Sequence, residues 1–297
     1  IMGSGATAFV YNGKFNPSRY LSLLQKFKIN VLCCTPTEYR MMAKLDNLDK
    51  YNLDHLHSAV SAGEPLNREV VEQFRKHFNL TVRDGYGQTE STLLIGFLKD
   101  TEQRPGSMGK AIPGSRVAVV DDEGNKVDTN VKGNIALPLD FPGLFKGYFK
   151  DEKRTKDAHA GDYYITGDLA HIDEDGYFWF EGRRDDIIIS SGYTIGPFEV
   201  EDALTNHEAV KECAVVASPH PIRGNIVKAF IILKEGYKPS DDLVKELQTF
   251  SKKVVAPYKY PRAIEFVEDL PKTNSGKIRR VELREAERTK HNNAQNK

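Results

Sequence analysis

Behind Asn16-Pro17, apolar residues recur at helical spacing as Tyr20, Leu21, Leu24 and Phe27. An asparagine cap followed by a proline at the first helical position predicts where that helix begins. Val31 to Cys34 is an apolar run of strand length, and Thr35-Pro36-Thr37-Glu38 follows as a capping-box pattern. The Thr35 hydroxyl accepts from an amide while Glu38 reaches back. Ala59-Val60 reads as a strand leading into Ser61-Ala62-Gly63-Glu64-Pro65. A helix with Val70, Val71, Phe74 and Phe78 on one face comes next, then a strand near Val82. Strand alternating with helix predicts a parallel sheet covered by helices.

The rhythm changes after about Gly106. Short β runs at Arg116 to Val120, Ile135 to Leu137, Leu169 to Ile172 and Tyr177 to Phe180 are separated by acidic glycine turns. Asp122-Glu123-Gly124 and Glu174-Asp175-Gly176 are hairpin signals, so this stretch reads as a small antiparallel sheet or barrel. From Asp185 a third pattern sets in, with a helix at Phe198 to Leu204 and strands at Cys213 to Ala217 and Val227 to Leu233. A helix capped at Ser240 then buries Leu243, Leu247 and Phe250. This α+β module is expected to end near Arg284, with His291 to Lys297 a frayed polar tail. No internal repeat is visible.

Composition narrows the class. The 297 residues are 39% hydrophobic and 28% charged, the balance of a globular chain with about two domains. Lys plus Arg equal Asp plus Glu at 42 each, which gives no reason to expect nucleic acid as a partner. Cys33, Cys34 and Cys213 are too few for a disulfide framework and lack metal-site spacing; reduced, buried thiols in a cytoplasmic protein are the expectation. No apolar run approaches the roughly 20 residues of a membrane span. The sequence opens without an initiator methionine, a basic leader or a helix cap, as if from inside a larger domain.

Several motifs stand in one order. They are Asp84-Gly85-Tyr86-Gly87-Gln88-Thr89-Glu90-Ser91, Tyr163-Tyr164-Ile165-Thr166-Gly167-Asp168, Gly182-Arg183-Arg184-Asp185-Asp186, Gly192-Tyr193-Thr194-Ile195-Gly196-Pro197 and Pro271-Lys272-Thr273-Asn274-Ser275-Gly276-Lys277. Over nearly the whole chain this series resembles the adenylate-forming superfamily of acyl-CoA synthetases, luciferases and peptide-synthetase adenylation domains. Within it the acetyl- and medium-chain acyl-CoA synthetases are most similar. The fold class this implies is α/β plus α+β. The remainder of a large domain (a parallel sheet with helices, then a small antiparallel β-barrel) precedes a small mobile C-terminal α+β domain. The expected divisions are 1–110, 111–184 and 185–297.

The residues suit the chemistry that the resemblance implies. Open α/β sheets bind ligands at the carboxyl ends of their strands. There, glycines such as Gly85 admit a nucleotide closely, Tyr86 offers a ring for adenine, and Thr89 offers a hydroxyl to the α-phosphate. Glu90 is a hard anionic ligand for Mg²⁺ held with ATP. Asp84 and the Gly63-Glu64-Pro65 turn are the nucleotide's other expected contacts. Asp168 accepts from the ribose hydroxyls, and Arg183 presents a planar donor fork nearby. Lys277 is the expected catalytic cation, with Lys272 a solvated neighbour. In phosphoryl-type chemistry, placing charge is most of the protein's work. Each residue also has a plainer reading as a turn cap, a solvated acid or a surface lysine; their combination favours the chemical one.

The resemblance further implies a hinge at Asp185, and a loop at Gly192 and Tyr193 that faces coenzyme A during thioester formation. Strict acetate enzymes carry a tryptophan where this chain has Gly87, so a medium-length, branched or aromatic acid is expected in the acyl pocket. Thr194 replaces an arginine that many relatives use for ATP phosphate. The Ser/Thr/Gly-rich phosphate loop of the family, which lies upstream, is missing, so these residues alone are expected to turn over ATP poorly. Two other readings stay open: loading of an acyl-carrier protein, and a non-catalytic nucleotide-binding fragment. Intact Glu90, Asp168, Arg183 and Lys277 argue against the latter. The oligomeric state is not legible.

Overall fold

A computed structural model describes residues 5–64, 66, 68–273 and 277–295. Pro65 and Asn274, Ser275 and Gly276 of the motifs lie outside the described residues. The chain divides into two units, one of residues up to Ser115 with Gly143–Phe145 and Gly176–Phe178, the other of Arg116–Pro142, Lys146–Asp175 and Trp179 onward.

In the first unit, the helices α1 (Pro17–Lys26), α2 (Pro36–Ala43) and α3 (Arg68–Phe78) alternate with the strands β1 (Val31–Cys34), β2 (Ser58–Ala62) and β3 (Val82–Gly87). Both expected caps form. The Arg19 amide donates to Asn16 at 2.9 Å, and at α2 the Thr35 amide donates to Glu38 Oε2 at 2.9 Å. β1, β2 and β3 pair in parallel, with Ser61 opposite Asp84 and Ala62 opposite Gly85. β4 (Leu93–Gly96) and β5 (Gly109–Ala111) then continue the sheet antiparallel. Helices and sheet share one apolar cluster in which Leu21, Tyr39, Met42, Ala59 and Phe74 are fully buried. Cys33 departs from expectation: β1 alternates, so Leu32 and Cys34 face the core while Val31 and Cys33 are exposed.

The second unit begins with β6 (Ala118–Val120), β7 (Gly133–Pro138), α4 (Glu152–Asp157), β8 (His159–Ala160), β9 (Tyr163–Ile172) and, from Trp179 onward, β10 (Tyr177–Arg183). The order is β10-β9-β7-β6, with β8 on β9. A second sheet follows, ordered β12-β11-β14-β13, from β11 (Ile188–Ser190), β12 (Tyr193–Ile195), β13 (Val210–His220) and β14 (Gly224–Leu233). β15 (Ala263–Phe266) lies parallel on β14. Because β13 is buried on both faces, its residues serve two cores. Cys213 and Val215 pack with α5 (Pro197–Thr205) and α6 (Asp241–Val254), whereas Ala214 and Val216 pack with Leu270, Ile278 and Leu283.

The last element corrects the sequence reading. α7 runs Arg280–Gln295, through Arg284 and His291, where the apolar pattern ends. Beyond Leu283, charge holds it. Lys228 on β14 reaches Glu287 at 2.8 Å, Ser218 donates to the same carboxylate at 2.7 Å, and Arg284 pairs with Asp186. No described helix is long and apolar enough to cross a membrane.

Candidate active site

In the first unit, parallel pairing brings two motifs to one sheet end. Gly63 and Glu64 leave β2 beside Asp84 to Gly87 of β3, since Ala62 stands opposite Gly85. The Glu64 carboxylate turns back toward α2, accepting from Thr37 at 2.8 Å and Arg40 at 3.3 Å. Its other oxygen, Oε1, is buried with no hydrogen-bond partner among the described residues. An orphan acceptor at this edge fits a site completed by a ligand or water.

Asp84 accepts from the Gly85 amide at 3.0 Å. Burial pushes its carboxyl up to about 7, against the opposing pull of hydrogen bonds from the Gly85 and Leu66 amides. The folded chain therefore holds a proton that the unfolded chain has lost, so stability falls as pH rises from about 4 to about 7. Asp84→Asn removes that slope. At pH 8 the variant is expected to be more stable than the parent by on the order of 4 kcal/mol, and near pH 4 the two converge. Denaturant unfolding at both pH values checks this; an equal difference at each would refute it.

Beyond β3, Thr89 is exposed and Glu90 half-buried. The Glu90 carbonyl accepts from the Phe145 amide at 2.7 Å, which fixes the backbone under its side chain. Among the described residues no cluster of three or more His, Cys, Asp or Glu is arranged for a metal. A single carboxylate is nonetheless the donor set suited to Mg²⁺ bound mainly through substrate phosphates. Gly87 has a local reason to be glycine. It sits at a register shift between β3 and β4, where an added Cβ would lie 2.3 Å from the Thr92 carbonyl oxygen.

In the second unit, β9 alternates so that Tyr164, Thr166, Asp168 and Ala170 point inward. An aspartate there costs solvation unless it is partnered. The β7–β9 register slips at this point: Leu169 pairs with Asn134 and Ile165 with Ala136, leaving Ile135 opposite the Thr166-Gly167-Asp168 segment. Gly167 takes φ +78°, the left-handed region that such a bulge needs. Thr166 secures the turn, donating to the Ile135 carbonyl at 2.9 Å and accepting from the Asp168 amide at 3.2 Å. Asp168 is 5% exposed, and Arg183 at the end of β10 lies 3.5 Å from its carboxylate with a half-exposed guanidinium. These two expected nucleotide contacts are thus brought together.

The remaining expected residues follow. Asp185 lies in a 3₁₀ turn, Arg184–Asp186, directly after β10. Gly192 and Tyr193 are exposed at the β11–β12 turn, where Tyr193 stacks on Tyr258 at 4.4 Å. The Gly182 and Gly192-to-Pro197 motifs meet at Gly196, where a Cβ would lie 2.1 Å from the Glu181 carbonyl oxygen.

Lys277 is exposed at the stem of its loop, with its amide donating to Thr273 Oγ1 at 3.1 Å and its carbonyl accepting from the Thr273 amide at 2.8 Å. Lys272 is exposed, as expected of a solvated neighbour, and pairs with Glu212 at 2.7 Å. Sequence reasoning also missed Glu201 and Arg280, which form a two-point pair under this stem. A glutamate beside Val200, on the apolar face of α5, was the available signal.

Comparison with known proteins gives the family. The family model of the AMP-binding enzyme matches residues 1–149, and that of the AMP-binding enzyme C-terminal domain matches residues 199–277. An uncharacterized acyl–CoA ligase of Bacillus subtilis is 63% identical over 287 residues, which are 97% of this chain and 54% of that protein. A mitochondrial acyl-coenzyme A synthetase of Mus musculus is 50% identical over 95% of this chain and 50% of its own length. The chain thus spans about half the length of these curated relatives. Among solved structures, an anthranilate CoA ligase in complex with anthranoyl-AMP superposes with a TM-score of 0.83 at 36% identity, covering 91% of this chain and 52% of that one. With one family model matching half of its residues and the companion model following in order, the chain belongs to the AMP-binding enzymes.

Proposed function

We propose that the protein carrying this sequence is an ATP-dependent acyl-CoA synthetase. A carboxylate oxygen attacks the α-phosphorus of ATP, the bond to pyrophosphate breaks, and an acyl-adenylate forms. The thiol of coenzyme A then attacks the acyl carbonyl, AMP leaves with the original carboxylate oxygen, and the thiol proton passes to solvent. The observation that carries this reading is the inward-facing Asp168, presented by a bulge beside Arg183. Relatives named as acyl-CoA ligases and a neighbour holding an acyl-AMP support the same chemistry.

In this reading Asp168 grips the ribose and Arg183 faces the sugar and phosphate. Gly63, Glu64, Pro65, Asp84, Gly85 and Tyr86 border the adenine, and Thr89 meets the α-phosphate. Glu90 would hold Mg²⁺, which supplies charge neutralisation of the phosphates. Lys277 brings its ammonium to the carboxylate and α-phosphate during activation. Residues 1–110 and 111–184 serve the large domain, and 185–297 form the mobile domain that swings about Asp185. That swing exchanges Lys277 for the Gly192–Tyr193 loop, whose glycine leaves room for the pantetheine arm.

Gly87 in place of an indole favours a medium-length, branched or aromatic acid, each extra buried methylene contributing about 0.8 kcal/mol. The test is acid-dependent exchange of labelled pyrophosphate into ATP across a panel of acids, followed by thioester formation with free coenzyme A or an acyl-carrier protein. Exchange greatest with medium or aromatic acids and transfer to free coenzyme A are expected. A preference for acetate would overturn the pocket assignment, and transfer to the carrier protein alone would overturn the acceptor.

A further inference from the structure

The loop stem that bears Lys277 is closed by a short ladder. The Arg279 amide donates to the Pro271 carbonyl at 2.8 Å, and Thr273 and Lys277 exchange the bonds given above. At the foot of this ladder stands Arg280, first residue of α7 and three positions after Lys277. Its Nε and Nη2 donate to the two oxygens of Glu201 at 2.9 and 2.6 Å, and the Val215 amide donates to the same carboxylate at 2.8 Å. Glu201 is 7% exposed. A buried carboxylate needs such partners, and a two-point guanidinium bond fixes direction as well as distance.

We propose that Glu201 is a positioning residue for Lys277. By holding Arg280 against α5 and β13, it sets the height and direction from which the lysine leaves the stem. The inference rests on the reading that Lys277 serves acyl-adenylate formation. α7 has separate anchors at Asp186, at the Lys228–Glu287–Ser218 group and through Leu283, so losing the Glu201 bond leaves the helix attached while removing the two-point constraint on its first residue. The stem has other attachments, through Lys272 and Glu212 on one side and Ile278 beside Leu270 on the other, but the two-point bond to Glu201 is the one that fixes direction at the first residue of α7.

The experiment compares Glu201→Gln, Arg280→Lys and Lys277→Ala in the protein that carries this sequence. It reads pyrophosphate exchange, thioester formation from preformed acyl-adenylate, and hydrogen exchange at individual amides. For the first two variants, pyrophosphate exchange is expected to fall by about ten- to a hundredfold, as for a misplaced catalytic group. Thioester formation from the adenylate keeps its rate. The Thr273 and Lys277 amides lose protection, while the β13–β14 ladder away from Val215 keeps it. Should Glu201→Gln fail to fold, the half-buried Arg280→Lys carries the same comparison. Equal loss of both half-reactions, unchanged pyrophosphate exchange, or retained protection at Thr273 and Lys277 overturns the proposal. If Lys277→Ala leaves pyrophosphate exchange intact, the reading of Lys277 is what fails; the amide measurement still decides whether Glu201 holds the stem.

Discussion

Lys277→Ala is expected to abolish acid-dependent pyrophosphate exchange while leaving thioester formation from preformed acyl-adenylate near its parent rate. Removing one preorganised donor from a developing negative charge costs about a hundred- to a thousandfold in rate, or ~3–4 kcal/mol. The loss should fall on one half-reaction because, in the proposed reading, the ammonium assists only while pyrophosphate departs. Local structure should survive the change. The side chain is exposed, and the stem is held by backbone bonds and by Ile278, which packs in the core beside Leu270. Lys277→Arg should restore little, since a planar fork on a different stem does not reproduce a point charge. Single-turnover measurement of each half-reaction checks the split. Equal loss in both would assign the lysine a broader role.

Asp168→Ala should weaken ATP binding by roughly ten- to a hundredfold, the effect of losing hydrogen bonds to a charged group worth about 1.5–3 kcal/mol. Arg183 then loses its partner, but its guanidinium is half-exposed, so water takes over at little cost. The bulge itself stays, because Thr166 holds it through main-chain groups. Asp168→Asn, which keeps shape and loses charge, should fall between parent and alanine variant. Equilibrium titration with ATP, beside a melting curve for each variant, reads the effect. Unchanged ATP affinity in the alanine variant would remove Asp168 from the nucleotide site.

Much of this was legible in the sequence where local chemistry decides structure. The caps at Asn16, Thr35 and Ser240 form as their side chains dictate, and the parallel β1–β2–β3 core follows the alternation of strand and helix. What escaped depends on partners distant in sequence. α7 has few apolar residues, and its hold on Lys228, Ser218 and Asp186 spans at least 59 positions in each case. Glu201 and Arg280 lie 79 positions apart, so neither carries a local sign of the other. The slip at Gly167 is a property of two strands in register, although its Thr-Gly-Asp signature drew notice for a different reason. Short strands such as β4, β8 and β12 are held by their neighbours' ladders more than by any pattern of their own.

The central claim is that a carboxylate oxygen becomes bonded to the α-phosphorus of ATP. It is tested most directly with an acid whose carboxylate is enriched in the heavy oxygen isotope, turned over with ATP and coenzyme A by the protein that carries this sequence. The account predicts one labelled oxygen in AMP and none in pyrophosphate. Label in inorganic phosphate alongside ADP, or AMP formed without any label, would contradict it.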